Sequence, residues 1–338
     1  MNKLQMSPPP FMQVEHAFLL CSHAVALLSN FFCAPLNRRS IEDQPGRGTY
    51  TMGWFLITRF TIQEAIRRRL FLTIAILTLL VLVLFGLLIH AAVSRMQENQ
   101  VANGMDPTLP TLYAGIAISI LAMWLVYLVI STMTIFLTIS MISGEIEAGT
   151  FVVIVPKPLR RAEIIFGKWL GYAFILGLYT LFLSLAFMGI IYWFTGYWPT
   201  QAFAAIGMLE MSMLVLLGLI TLCGAFVPTA ANGAIAVMLF MGAFISSIVQ
   251  FAIPAQDAMV QNITAVISLI MPTDAMWHGA SYYLFPAALG VFQDFSVNSV
   301  NTPFTATQPI ALPLLTWGIL YSLVLPLIAM LRFQRRDL

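Results

Sequence analysis

The loop at residues 142–161, ISGEIEAGTFVVIVPKPLRR, places carboxylates and cations between two long apolar runs. Glu145 and Glu147 suit the start of a short helix, because the helix dipole favours negative charge at the N-terminus. Gly149-Thr150 permits a tight turn or the close approach of another protein, and the two prolines that follow interrupt regular structure. The residue types therefore predict a rigid knob that presents a compact surface.

Three cations at the end of this loop and just after it are predicted to fix the knob at the membrane surface. Arg160, Arg161 and Lys168 lie just before or at the start of the next apolar run, where they can bind lipid headgroups. The same anchoring role is predicted for three arginines before the first apolar run, which are Arg67, Arg68 and Arg69.

Catalytic and metal-binding patterns are absent from the sequence. It contains no GxxxxGK[ST] phosphate loop, no GxSxG and no HExxH. The cysteines, Cys21, Cys33 and Cys223, form no CxxC, and His90 and His278 are interpreted as interfacial histidines rather than ligands. A net charge of +2 is too small to indicate nucleic acid as a partner. We therefore expect no enzyme activity and no cofactor in this chain.

The elements that must position the knob are membrane helices. Of 338 residues, 60% are hydrophobic and 9% are charged, whereas about a quarter are charged in a soluble domain. Windows without charge are long enough to cross ~30 Å of hydrocarbon as helices, with Pro228 and Asn232-Gly233 separating two of them. Six predicted spans result, at approximately residues 70–92, 113–141, 168–194, 207–227, 233–251 and 310–331.

The distribution of Lys and Arg predicts the orientation of these spans. Basic clusters lie before the first span, between the second and third, and after the last, and the short loops at the opposite ends contain only Arg95. Because cytoplasmic loops carry the excess of Lys and Arg, both ends of the six-span unit and the knob are predicted to be cytoplasmic.

Three segments flank or interrupt the spans. Residues 51–70 have the pattern of an interfacial helix that leads into the first span like an elbow. Residues 255–308 form a large insertion, in which 262–271 is too short to span and predicts a re-entrant or surface hairpin on the outer face. Residues 1–50 are predicted to be a poorly ordered extension, with a non-native start as an alternative, so that residues 51–338 form the transmembrane domain.

The knob resembles the cytoplasmic signature of a known family. Glu145-x-Glu147-x-Gly149-Thr150, then Pro156-x-Pro158-x-Arg160-Arg161, then Gly167-Lys168-x-x-Gly171 is similar to the signature of ABC-2 type transporter permeases. The likeness is strongest to the branch associated with maturation of multicopper enzymes such as nitrous oxide reductase. It extends more loosely over residues 52–338, including SLIMPTDAMWHG before the last span.

The resemblance implies an all-α permease whose knob is a coupling helix. That helix would dock on a separate ATPase subunit, which binds ATP and Mg²⁺. Two permease copies, identical or related, would pair in the bacterial cytoplasmic membrane and pass the substrate between them. The residues assigned to coupling are Glu145, Glu147, Gly149, Thr150, Pro156, Arg160 and Arg161.

The residues leave other interpretations open. A self-contained secondary transporter or channel-like protein is the alternative function, although few ionisable groups lie in the spans to bind coupling ions. The uncharged spans favour an apolar, lipid-like or peptide-like cargo, and the substrate itself is not predicted. Glu210 is interpreted as an interfacial carboxylate within about two turns of the outer surface, with a functional role kept open. Tyr192, Trp193, Tyr197 and Trp198 predict an aromatic belt.

Overall fold

The computed structural model describes residues 53–67, 69–104, 106, 108–147, 161–252, 258–284, 306 and 308–334. The predicted N-terminal extension and residues 148–160 of the knob lie outside this part. The helices are α1 Gly53–Arg67, α2 Arg69–Ala102, α3 Thr108–Thr138, α4 Ser143–Glu147, α5 Arg161–Thr195, α6 Ala202–Phe226, α7 Thr229–Ala252, α8 Ala258–Ile270, α9 Thr273–Leu284 and α10 Leu312–Gln334. No strand occurs among the described residues.

Six of these helices are long and apolar enough to cross a membrane, namely α2, α3, α5, α6, α7 and α10. We call them spans one to six, and within the described residues the predicted all-helical architecture with six apolar spans is confirmed. Span four forms the centre of the bundle, because its most apolar window is 67% buried, whereas that of span one is 17% buried. Span one therefore has most of its surface available to lipid.

Helix α1 lies against the start of span three. Thr58 donates a hydrogen bond from its hydroxyl to the carbonyl oxygen of Gly167, at 3.0 Å. A Cβ at Gly167 would lie 2.8 Å from the carbonyl oxygen of Trp54, and one at Gly171 would lie 2.9 Å from Cβ of Thr61. Glycines four residues apart thus let the two backbones approach closely. The predicted helix is present, and its position at the membrane surface stays a prediction.

Helices α8 and α9 are joined by a turn at residues 271–272, which is buried. The carbonyls of Leu269 and Ile270 lie at the end of α8, where carbonyl groups have no hydrogen-bond partner within the helix. Trp317 donates from Nε1 to the first at 2.9 Å, and Tyr321 donates from its hydroxyl to the second at 2.7 Å. Span six therefore holds the end of α8 next to this turn, and the re-entrant or surface hairpin on the outer face stays a prediction.

The start of span five differs from the sequence-based boundary. Span five begins at Thr229, four residues before the predicted start, and it runs through Asn232. Asparagine favours turns because its side chain bonds to nearby backbone. Here the Asn232 amide instead donates to the carbonyls of Ile139, at 3.1 Å, and Ile220, at 3.2 Å. Because the Asn232 side chain bonds to backbone outside its own helix, it does not interrupt span five.

Candidate functional site

The short helix α4 follows span two after a turn at residues 139–142 and carries both predicted carboxylates. Ser143 donates from its hydroxyl to the carbonyl of Ile139 at 3.0 Å. The amide of Ile146 donates to the carbonyl of Ile142 at 3.1 Å. These local hydrogen bonds attach α4 directly to the end of span two.

Glu145 connects α4 to span three through an ion pair with Lys168. The Lys168 ammonium also donates to the carbonyl oxygen of Met141, at 3.3 Å, just beyond the end of span two. Lys168 is 8% exposed, so each charge is largely withdrawn from water and depends on the other. The structure places this ammonium between α4 and span two, where a carboxylate and a carbonyl meet it, and its role at the lipid headgroups stays a prediction.

Glu147 connects α4 to span five. The backbone amide of Thr229 donates to Glu147 Oε1 at 2.8 Å, and the Thr229 hydroxyl lies 3.1 Å from Glu147 Oε2 and 3.0 Å from Ser143 Oγ. Thr229 is the first residue of span five, where amides have no partner within the helix and the dipole attracts negative charge. Glu147 therefore caps the start of span five from another part of the chain.

Asn232 completes this group of contacts from inside the bundle. It is 1% exposed and bonds the backbone next to α4 to the backbone of span four. We call Glu145, Glu147, Lys168, Thr229 and Asn232 the span junction. Through these residues the ends of spans two, three, four and five meet around α4.

The structure brings together three of the predicted site residues: Glu145, Glu147 and Lys168. The predicted residues Gly149, Thr150, Pro156, Arg160 and Arg68 lie outside the described residues. Arg67, Arg69 and Arg161 lie in helices, but their side chains are not among those described. Their coupling and anchoring roles stay predictions.

Sequence reasoning missed Thr229 and Asn232, because no motif connects them to residues more than 80 positions earlier. It also missed the contact between α1 and span three. For that contact a signal was present, since Gly167 and Gly171 have the spacing that permits close helix packing.

Comparison with known families decides what kind of protein contains this junction. The model of the ABC-2 family transporter protein matches residues 57–338, which include all six spans and the junction. The chain belongs to the ABC-2 transporter family. Comparison with curated proteins gives no match. The family match does not separate branches, so the predicted copper-enzyme maturation branch stays a prediction.

An ABC-2 chain is a membrane transport component, and members of the family normally work with a separate ATPase. This assignment agrees with the six spans and makes the protein a multi-pass membrane protein. The junction lies next to the segment that the sequence assigns to coupling, so it is the candidate site for transmitting motion within the ABC-2 chain.

A second polar cluster of the ABC-2 chain joins α9 to span five. Ser247 donates from its hydroxyl to Asp274, and His278 Nε2 lies 3.4 Å from Asp274 Oδ2 and 3.2 Å from Ser247 Oγ. Asp274 and Ser247 thus both lie near Nε2 of the ring. The other ring nitrogen, Nδ1, is buried without a partner in the described structure. A Ser-His-Asp relay uses both ring nitrogens, so this cluster is not a catalytic triad.

His278 thus has a carboxylate neighbour, because Asp274 lies one helical turn earlier. Within the described part of the chain, no three His, Cys, Asp or Glu residues are grouped to hold a metal ion. The cluster of Ser247, Asp274 and His278 attaches α9 to span five. His90, the other histidine considered, packs against the ring of Phe194 with centroids 5.4 Å apart.

Tyr197 departs from the predicted aromatic belt of the ABC-2 chain. It is buried, and its hydroxyl donates to the carbonyl of Leu284 at 2.6 Å. Burial raises the pKa of Tyr197 to about 12, so the hydroxyl keeps its proton at neutral pH. Tyr192 and Trp198 remain exposed beside it, with ring centroids 6.2 Å apart. Tyr197 thus connects the loop after span three to the end of α9.

Proposed function

We propose that the chain is the permease subunit of an ATP-binding cassette transporter in the bacterial cytoplasmic membrane. Two permease copies, identical or related, assemble with separate ATPase chains, which bind ATP and Mg²⁺ and drive the substrate through the membrane. Membership of the ABC-2 family, the six spans and the absence of a phosphate-binding loop in the sequence support this proposal.

The junction end of the bundle faces the cytoplasm in this proposal. The basic clusters before span one, between spans two and three and after span six all belong to that end. The positive-inside rule therefore supports cytoplasmic ends for the six-span unit and a cytoplasmic position for residues 148–160.

The observation that carries the proposal is the double attachment of α4. Glu145 binds the start of span three and Glu147 binds the start of span five. When a partner pushes residues 148–160 of the knob, α4 either carries both spans with it or breaks its contacts with Lys168 and Thr229. Glu145 and Glu147 thus act in coupling by transmitting motion within the permease.

The ATPase contact belongs to the rest of the knob: Gly149, Thr150, Pro156, Arg160 and Arg161. This division separates ATPase binding from transmission of movement, which a charge reversal at both Glu145 and Glu147 would disturb together. Binding of the ATPase depends on the knob, and transmission of its movement depends on the two carboxylates of α4.

The test compares Thr150→Arg with Glu147→Ala in permease purified from membranes of the native cell. We expect wild-type permease to copurify with a chain that contains a Walker A motif, at equal stoichiometry, and the complex to hydrolyse MgATP. Thr150→Arg should lose this chain, whereas Glu147→Ala should keep it. Transport by wild-type permease alone in liposomes, without any ATPase, would contradict the proposal.

Orientation has its own test in a variant whose Cys21, Cys33 and Cys223 are replaced by serine. Thr150→Cys in this background should react with a membrane-impermeant maleimide only in inside-out vesicles. Reaction in intact spheroplasts would place the knob outside and refute the proposed coupling.

A further inference from the structure

Glu210 is a carboxylate inside span four that the junction does not use. It lies eight residues after the first residue of the helix, Ala202, which is ~12 Å along the axis. Among the described residues, no hydrogen-bond donor or cation meets its carboxylate. On span three it lies beside Gly177, where a Cβ would lie 3.2 Å from Glu210 Oε2.

Glu210 belongs to the open face of span four. In this half of the helix the exposed or half-buried residues recur every three or four positions, singly or as adjacent pairs: Phe203, Ala204, Gly207, Glu210, Met211 and Leu214. Such spacing places them along one stripe. Residues on the other faces, such as Met208 and Ser212, are buried against the bundle.

This stripe cannot face lipid alone with a charged Glu210. An ionised carboxylate in hydrocarbon is costly, and a glutamate side chain cannot extend to the headgroups as Lys and Arg do. Acidic residues within spans almost always face a bundle interior or a water-filled cavity. The proposed function supplies that setting, since two permease copies enclose a path between them, and the inference rests on it.

Asp274 shows what a satisfied carboxylate in this protein looks like. It accepts a hydrogen bond from Ser247 and lies beside His278. Glu210 has no such partners within the described structure, and the residue opposite it is a glycine with no side chain to offer. A cation to match the charged form of Glu210 would therefore come from outside the described residues.

We propose that Glu210 binds the positive group of a lipophilic cation that the transporter carries. The carboxylate matches the charge, and Phe203, Met211 and Leu214 offer an apolar surface for the rest of the molecule. The sequence-based expectation of an apolar cargo is thereby narrowed to an apolar cargo with one positive charge.

The experiment measures binding to the copurified complex in lipid nanodiscs, with tetraphenylphosphonium as the cationic probe and triphenylphosphine oxide as the neutral one. Glu210→Gln should weaken tetraphenylphosphonium binding by at least about tenfold, since one charge-assisted contact is lost. It should leave binding of the neutral probe unchanged. Glu163→Gln, which removes a carboxylate at the start of span three, is the matched control and should bind both probes as wild type does.

A second measurement uses wild-type protein and so does not depend on how the variant folds. Dicyclohexylcarbodiimide modifies carboxyl groups in apolar surroundings, and tetraphenylphosphonium should protect Glu210 from it, as peptide mass spectrometry can show. Equal probe binding by Glu210→Gln and wild type, labelling without protection, or no binding of the cation by wild type would each overturn the proposal.

Failure of this inference is distinguishable from failure of the proposed function. Glu210→Gln should still copurify with the ATPase, because the substitution is distant from the knob. Loss of the ATPase from wild-type permease would instead refute the proposed function, whatever the probes bind.

Discussion

Two carboxylates of this permease, Glu145 and Glu210, are both withdrawn from water, yet their surroundings differ. Glu145 pairs with the buried ammonium of Lys168, and the same ammonium holds the backbone at the end of span two. Glu210 faces Gly177 and meets no cation in the described structure. The comparison indicates that charges matched within the chain hold helices together, whereas an unmatched charge is available to a ligand.

The two situations predict opposite responses to mutation. Removing one member of a buried pair leaves the other charge uncompensated, so stability falls. Removing a charge that has no partner leaves no such penalty. Variants of the junction should therefore lose stability or transmission, and variants of Glu210 should lose only ligand binding.

Lys168→Met should give the largest effect. The substitution leaves the Glu145 carboxylate without its cation, and breaking a buried pair in this way costs roughly 3–5 kcal/mol. We expect a markedly lower midpoint of thermal unfolding for the purified permease in detergent. The double variant Lys168→Met with Glu145→Gln should recover part of the loss, and a single variant as stable as wild type would show that the pair does not hold α4.

Gly167→Ala should cause the next largest loss of stability. Its Cβ would meet the carbonyl of Trp54 at 2.8 Å, and overpacking of this kind costs roughly 1–3 kcal/mol. Gly189→Ala is the matched control in the same helix, because nothing lies within 4 Å of its Cβ position, and alanine there should gain up to about 1 kcal/mol. Equal unfolding midpoints for the two variants would mean that α1 does not pack on span three as described.

Glu147→Ala should have a moderate effect on stability, of roughly 1–2 kcal/mol, since it removes the cap of span five. Thr229→Val keeps the amide that binds Glu147 Oε1 and loses only the hydroxyl contact, so its effect should be smaller. A double-mutant cycle of the two measures their coupling in unfolding experiments. A coupling free energy near zero would show that the Thr229 hydroxyl does not contact Glu147, and a Glu147→Ala variant as stable as wild type would show that Glu147 does not cap span five.

Glu210→Gln should change the midpoint of unfolding least, within about 0.5 kcal/mol, because no partner is left behind. A loss as large as that of Lys168→Met would reveal a cation for Glu210 within the permease. Such a result would remove the contrast between the two carboxylates.

The spans were predictable because lipid excludes charge, so windows without Lys, Arg, Asp or Glu mark them directly. The acidic pair of α4 was also visible from residue type. Its partners were not, because Thr229 is 82 residues from Glu147 and meets it only once the helices have packed. Asn232 gave a misleading turn signal for the same reason, since its amide bonds to the turn after span two and to span four rather than to its own backbone.

The central claim is that α4 transmits ATP-driven movement through its two carboxylates. The most direct measurement is the distance between spin labels at Leu88→Cys on span one and Met238→Cys on span five, both exposed, in the cysteine-free complex with its ATPase. MgATP with vanadate should shift this distance in wild type and leave it unchanged in Glu147→Ala, although the ATPase remains bound. The same shift in both proteins would contradict the claim.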